Sequence, residues 1–260
     1  MQNLLYLHSD KFFFFGIVFA RLGAMLMTAP LFSARVIPLH IRIVSVFVLT
    51  TLITPLQWQS TSGVDLNSCS VFFHILANVV IGASLGLTML ILFSGVQVAG
   101  SVICRSGQMA LEPSGNDPVA IEGPVASRIL QWLALIIFVA MGGHRLMMTA
   151  LLDSFQSIPL ATHLLPERLL QIVVHMVGES FRLAIRMAAP VVTALLASTL
   201  AIGLVSRALP QINAFSIGLA VNLWTTFWTL FFSLAIVAYL FGDYLNSFLS
   251  TWSNMLSYPG

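Results

Sequence analysis

The chain has 260 residues, 58% of them hydrophobic and only 8% charged, against roughly 25% charged in a soluble domain. That excludes a soluble globular protein and points to an all-α membrane protein, because charge-free runs at 66–104, 187–206 and 208–242 each reach the ~20 residues that cross a hydrocarbon core as a helix. The formal net charge of +2, with a single lysine among eleven basic residues, leaves no polybasic surface for a nucleic acid.

The first apolar segment covers about 12–31. Asp10 and Lys11 precede "FFFFGIVFA" and no small-x-small site closes the run, so it is expected to persist as a helix rather than be removed as a signal. Arg21 lies in its middle. An arginine costs roughly 2.5–3.5 kcal/mol at the bilayer centre on insertion scales, so Arg21 is expected to face a partner or a wet cavity and not lipid. After "SARVIPLHIR" comes a second segment, about 43–56, short for a full crossing. "QSTSGVDLNSCS" is a polar, turn-rich loop. The third segment, about 71–103, carries Gly82 and Gly86 at GxxxG spacing, then Gly95, Ala99 and Gly100, small residues that let helices approach closely.

The next stretch, "RSGQMALEPSGNDPVAIEGP" from Arg105 to Pro124, is the longest irregular loop, with three acids, three glycines and three prolines. Long structureless loops are uncommon unless they serve as lids, binding elements or disordered linkers. A fourth segment, about 128–141, leads through "GGHRL" into an amphipathic stretch at 147–155. Two long helices close the chain, about 168–206 and 215–249, joined by "RALPQINAFSIG". Within the first of them Glu179, Arg182 and Arg186 fall on one face at i, i+3 and i+7. Ala194, Ala197, Ser198 and Ala201 form a small-residue stripe further on. Counted this way there are about six hydrophobic segments and one amphipathic stretch.

Basic residues give a weak topology. Arg35, Arg42, Arg105 and Arg207 fall in the loops after segments one, three and five, which would make those loops cytoplasmic, but Arg145 and Arg168 oppose this and the short segments make a simple serpentine doubtful. No chemistry stands out. Cys69 and Cys104 form no CxxC pair, and the six histidines show neither HxxxH nor HExxH spacing, so metal and redox sites have no sequence support. A nucleophile elbow, a phosphate-binding glycine loop and paired intramembrane aspartates are all missing. Pro30, Pro190 and Pro210 do not repeat in two matching halves, as the broken helices of many small-solute transporters do.

Three blocks, "RLGAMLMTAPLFSARVIPLHIR", "GGHRLMMTALLDSFQSIPL" and "SRALPQINAFSIG", resemble in order and spacing the flagellar biosynthesis protein FliR family, and they spread over nearly the whole chain. The injectisome homologue of virulence type III secretion shares much of this pattern, while "NAFSIG" is closer to the flagellar branch. The resemblance implies a non-enzymatic core component of the type III protein export gate, lining the passage for unfolded flagellar proteins, in the bacterial inner membrane at the flagellar basal body and without a cofactor. It implies helical hairpins in a hetero-oligomeric gate lifted largely out of the bilayer plane. The partners it implies are a related four-helix subunit, a small two-helix subunit, the export switch protein and membrane lipid. An injectisome gate subunit is the alternative, and a multi-spanning solute transporter a more distant one.

Residue by residue, the resemblance makes 1–170 similar to the four-helix subunit and 171–260 similar to the two-helix subunit. It makes "RALPQIN" a hairpin tip at the cytoplasmic entrance, where Pro210 stops a straight helix and Arg207, Gln211 and Asn213 can satisfy freed backbone groups and neighbouring tips. It places the 106–124 loop as a pore plug, with Met109, Leu111, Glu112 and Asp117 as candidates. Here "MALEPSGNDP" departs from the family pattern, having Glu112 and no aromatic residue before the Asp-Pro. Arg21, Glu179, Arg182 and Arg186 are expected as buried polar contacts between subunits.

Overall fold

A computed structural model describes residues 2–30, 38–55, 68–107, 125–158, 167–209 and 214–257. Among them there are seven α-helices and no strand: α1 (Gln2–Thr28), α2 (Leu39–Ile53), α3 (Ser68–Ser106), α4 (Val125–Ala140), α5 (Gly143–Ser157), α6 (Glu167–Ala208) and α7 (Ala214–Ser257). The all-α expectation holds, with two adjustments. The first helix starts ten residues before the apolar run, because nothing between Gln2 and Thr28 breaks a helix and the charges of Asp10 and Lys11 do not. The amphipathic stretch is a full helix of 15 residues, separated from α4 at Gly142, whose φ of 71° is the left-handed conformation that glycine adopts without a Cβ penalty.

Among the described residues, three helices are long and apolar enough to cross a membrane, within Val71–Ser106, Leu170–Ala208 and Phe215–Phe248, or four spans if α4 and α5 count together. At 1.5 Å per residue, the 39, 42 and 44 residues of α3, α6 and α7 reach roughly 60 Å, more than the ~40–45 Å of a bilayer with its headgroups. α2, with 15 residues, spans only about 22 Å and is too short to cross alone. Pro190 sits inside α6, where its missing N–H frees the carbonyl four residues back. The helix nevertheless continues to Ala208, as membrane helices do where neighbouring helices, hydroxyl side chains, water or local backbone adjustment take up the freed carbonyl.

The chain divides into two compact units. One comprises Met1–Ile91, Gly142–Val177 and Ser247–Gly260; the other comprises Leu92–Met141 and Gly178–Asn246. The first has Ile17, Leu22, Met25, Ile81, Met89 and Leu151 at its centre, all essentially without exposure, and Phe15 meets Phe47 edge-on at 5.5 Å. The core of the second gathers around Phe93, whose ring meets Phe138 at 5.6 Å and Phe241 at 5.4 Å, both edge-on, the arrangement favoured by the ring quadrupole.

α3 contributes to both cores through its glycines. In the first unit, a Cβ on Gly82 would strike the backbone carbonyl of Arg21, and one on Gly86 would strike the Thr28 hydroxyl. In the second unit, a Cβ on Gly95 would lie 2.5 Å from the Ser180 carbonyl, and one on Gly100 would strike the Ser127 backbone. The small residues singled out in the third segment therefore admit α1, α6 and α4 to direct backbone contact, the use to which small residues are put where no hydrophobic effect drives helices together.

Candidate functional site

Of the residues singled out from sequence, Met109, Leu111, Glu112 and Asp117, and likewise Pro210, Gln211 and Asn213, lie outside the described residues. Arg207 is in the last turn of α6 and its side chain is exposed. A cation in that turn is favourable, because the unsatisfied carbonyls there carry the negative end of the helix dipole.

α6 and α7 run antiparallel along a seam marked by Ser198, whose hydroxyl donates to Asn222 Oδ1 at 3.0 Å, and by Gly218, which faces Ile202. From the stripe of small residues, Ser198 alone makes a hydrogen bond across this seam; Ala197 and Ala201 are exposed. The outer faces of the hairpin are apolar and open. Leu200 is 70% exposed, Leu204 71%, Phe215 77% and Trp224 67%. Further along α7, Trp228 stacks on Phe232 with ring centroids 5.9 Å apart, and both remain more than half exposed. Only 17% of the apolar window of α6 and 22% of that of α7 is buried, against 56% for α3. Exposed apolar patches of this extent mark a surface covered by lipid or by another protein.

The charged face of α6 borders this surface. Glu179 accepts a hydrogen bond from Arg182 at 2.6 Å within the helix, with the Arg182 side chain 70% exposed. The Arg186 guanidinium lies over the Tyr244 ring of α7, 5.9 Å from its centroid, within cation–π range. Arg182 and Arg186 sit on the outside of the chain and Glu179 is half-buried beside them, whereas Arg21 is enclosed.

Arg21 is completely buried. Its Nε donates to Asn78 Oδ1 of α3 at 2.8 Å. Its Nη1 donates to the Ser154 carbonyl at 3.0 Å and to Ser154 Oγ at 3.3 Å, and its Nη2 donates to the Ile158 carbonyl at 3.2 Å. The guanidinium also stands 4.5 Å from the centroid of the Phe155 ring. Every one of these acceptors is neutral, and two are main-chain carbonyls at the C-terminal end of α5, where the helix dipole favours a cation. Arg21, expected at a contact between subunits, has these partners within its own chain.

Asn78, Ser154 and Asn222 were not singled out from sequence. For the two asparagines a signal existed, since a carboxamide inside a long apolar helix has to find a partner. Ser154 offered none, because its backbone carbonyl does much of the work and any residue supplies one. Among the described residues, no group of three His, Cys, Asp or Glu side chains comes together as a metal site would require.

The family described as "Bacterial export proteins, family 1" matches residues 12–248. The chain is similar to the flagellar biosynthetic protein FliR of Escherichia coli (strain K12), 30% identical over 78% of this chain and 77% of that protein. It is 28% identical to FliR of Pectobacterium carotovorum over 79% of this chain and 78% of the relative. FliR of Bacillus subtilis (strain 168) is 25% identical over 96% of this chain and 97% of its own length.

Proposed function

The chain belongs to bacterial export proteins, family 1, the family of the flagellar FliR proteins, and from that premise we propose that it is a non-enzymatic core subunit of the flagellar type III export gate. At the coarser level it is a membrane-embedded component of flagellar type III export. Its further role is to line the passage taken by unfolded flagellar proteins through the bacterial inner membrane. It works there with the related four-helix and two-helix gate subunits and the export switch protein, 1–170 serving as the counterpart of the first and 171–260 as that of the second. The flagellar branch is preferred over the injectisome because the three relatives above are flagellar proteins.

The observation that carries this reading is the α6–α7 hairpin. It is too apolar to face water and it carries the exposed Arg182 and Arg186 beside the half-buried Glu179, a poor surface for lipid alone. Neighbouring protein covers it in the assembled gate, and Arg207 with Pro210, Gln211 and Asn213 meets adjacent tips. The 106–124 loop restrains the closed pore, with Met109 and Leu111 as flexible apolar contacts.

Copurification tests the reading. A tagged chain expressed with the related subunits brings both down in fixed ratio. A monodisperse monomer that leaves them behind, or saturable solute uptake by the purified chain alone in liposomes, refutes it. Removing Met109 to Asn116 leaves assembly intact and raises small-solute leakage through the gate. Normal assembly with unchanged leakage shows that the loop is not the seal.

A further inference from the structure

The Arg21 cluster is unusual in what it binds. A buried arginine ordinarily has a carboxylate close by, because breaking the pair is costly and the pair itself fixes a geometry. Here the planar fork is shared among two other helices, with Nε on the Asn78 side chain of α3 and both Nη atoms on the last turn of α5. The polar groups around it are otherwise accounted for. Ser154 Oγ already donates to the Leu151 carbonyl at 2.6 Å, and the Ser154 carbonyl already accepts from Ile158 N at 3.0 Å. Asn78 Nδ2 donates to the His74 carbonyl at 2.7 Å. Arg21 supplies a simultaneous contact to the side of α3 and to the end of α5.

The rest of α5 has no such landmark. Besides Ser154, its buried face is Gly143, Met147, Ala150, Leu151 and Phe155, and the last four follow an i, i+3, i+4 repeat that returns on itself after a shift of about one turn, or ~5.4 Å. Apolar contacts of this kind fix a helix's face and leave its position along the axis weakly specified. Backbone carbonyls at a helix end are a unique point along it. α1 and α3, by contrast, are already in register through Gly82 and Gly86.

We propose that Arg21 is a positioning residue, a latch that fixes α5 along its own axis against α1 and α3, and that export requires the forked geometry of the guanidinium and not only its charge. Registry is the best-attested use of a buried polar group. A lysine places one ammonium where the fork makes several directed bonds, so it reaches either Asn78 or the α5 terminus and does not hold both.

The test uses the full-length chain in its native membranes, with Cys69 and Cys104 replaced by alanine. A single reporter cysteine is placed at Ala150 on the buried face of α5, or at Ala134 inside α4 as a reference, both under 10% exposed. Arg21→Met combined with Asn78→Leu removes the fork and the amide it would orphan, which keeps the site apolar. The expected result is normal membrane level, an Ala134→Cys reporter that stays protected from a maleimide, an Ala150→Cys reporter labelled about tenfold faster through local release of α5, and lost export of a secreted flagellar subunit. Arg21→Lys falls between parent and double variant in both labelling and export. Three outcomes overturn the proposal. In the first, the Ala150→Cys reporter is as protected in the double variant as in the parent. In the second, both reporters are labelled together, which makes Arg21 a general stabiliser. In the third, Arg21→Lys is indistinguishable from the parent, which makes charge sufficient.

Discussion

α3 and the α6–α7 hairpin are built from the same kind of sequence, long apolar helices with scattered glycines, and they use it in opposite ways. Each of Gly82, Gly86, Gly95 and Gly100 on α3, and Gly107 just past its end, faces an atom of another helix that an added Cβ would strike or crowd. Gly178 and Gly203 on α6 face nothing within 4 Å. α3 is the more buried within the chain, 56% of its apolar window against 17% and 22% for the two hairpin helices, and the hairpin, apart from Gly242 against Met141, leaves more of its packing open. Mean apolarity therefore does not say which membrane helix is a core and which is an interface; the neighbours of its small residues do.

The comparison breaks first at the glycines. Gly82→Ala and Gly100→Ala force backbone apart in two different cores and are expected to destabilise the purified protein by about 1–3 kcal/mol or more each, read as lost membrane level and earlier aggregation on heating in detergent. Gly203→Ala is expected to be neutral or to stabilise the isolated chain by up to about 1 kcal/mol, because it removes a helix-interior glycine. If Gly203→Ala also abolishes copurification with the related subunits, the hairpin's small residues admit a partner as closely as those of α3 admit α1. Equal losses from all three substitutions in the isolated chain would erase the distinction.

Much of this was legible in the sequence, and what was not has physical causes. The helices followed from apolar runs, and the close approaches along α3 followed from glycine spacing, since only a missing Cβ lets backbones touch. That Arg21 would shun lipid followed from the cost of a charge in hydrocarbon. Its partners did not follow, because Ser154 and Ile158 offer main-chain carbonyls, which every residue has. Nor could composition separate the covered α3 from the open hairpin, since a residue that suits lipid suits a protein interior equally. The identity of the plug and tip residues rested on resemblance alone.

The hairpin side of the comparison sharpens with polar substitutions on its open face. Leu200→Ser together with Trp224→Ser leaves the intramolecular core untouched, so the thermal stability of the isolated chain should move by less than about 0.5 kcal/mol per site. Loss of large apolar anchors at an interface typically costs 2 kcal/mol or more, so copurification with the related subunits should fall by well over tenfold. Retained copurification together with slower membrane insertion would assign this face to lipid.

Arg207 gives a smaller effect. Its side chain is exposed in the chain alone, and if neighbouring tips supply its carbonyls or carboxylates, truncation leaves those groups unpaired at about 1–3 kcal/mol each. Arg207→Ala should then reduce export of a flagellar subunit at matched membrane level, and Arg207→Lys should reduce it less, because lysine keeps the charge while losing the fork. Near-normal export from Arg207→Ala would make the junction a solvated connection.

The smallest expected effect lies on the side-chain hydrogen bond across the hairpin seam from Ser198 Oγ to Asn222 Oδ1. Interhelical side-chain bonds in membrane proteins average about 0.6 kcal/mol by double-mutant cycles. The two single substitutions should differ, because removing a donor orphans its acceptor while removing both ends does not. Ser198→Ala leaves the oxygen of Asn222, a residue 2% exposed, without this donor. In Asn222→Leu the serine hydroxyl can turn to the carbonyl four residues back on its own helix. Ser198→Ala should therefore destabilise the isolated chain by about 1 kcal/mol, Asn222→Leu by less, and the double variant by no more than Ser198→Ala. Measured as unfolding in detergent, a coupling near 0.6 kcal/mol would mean that the seam forms before any partner arrives. A coupling of zero in the isolated chain that appears only in the assembled complex would mean that α6 and α7 are pressed together by their neighbours, and the hairpin would then depend on the outside for its own seam as well as for its faces.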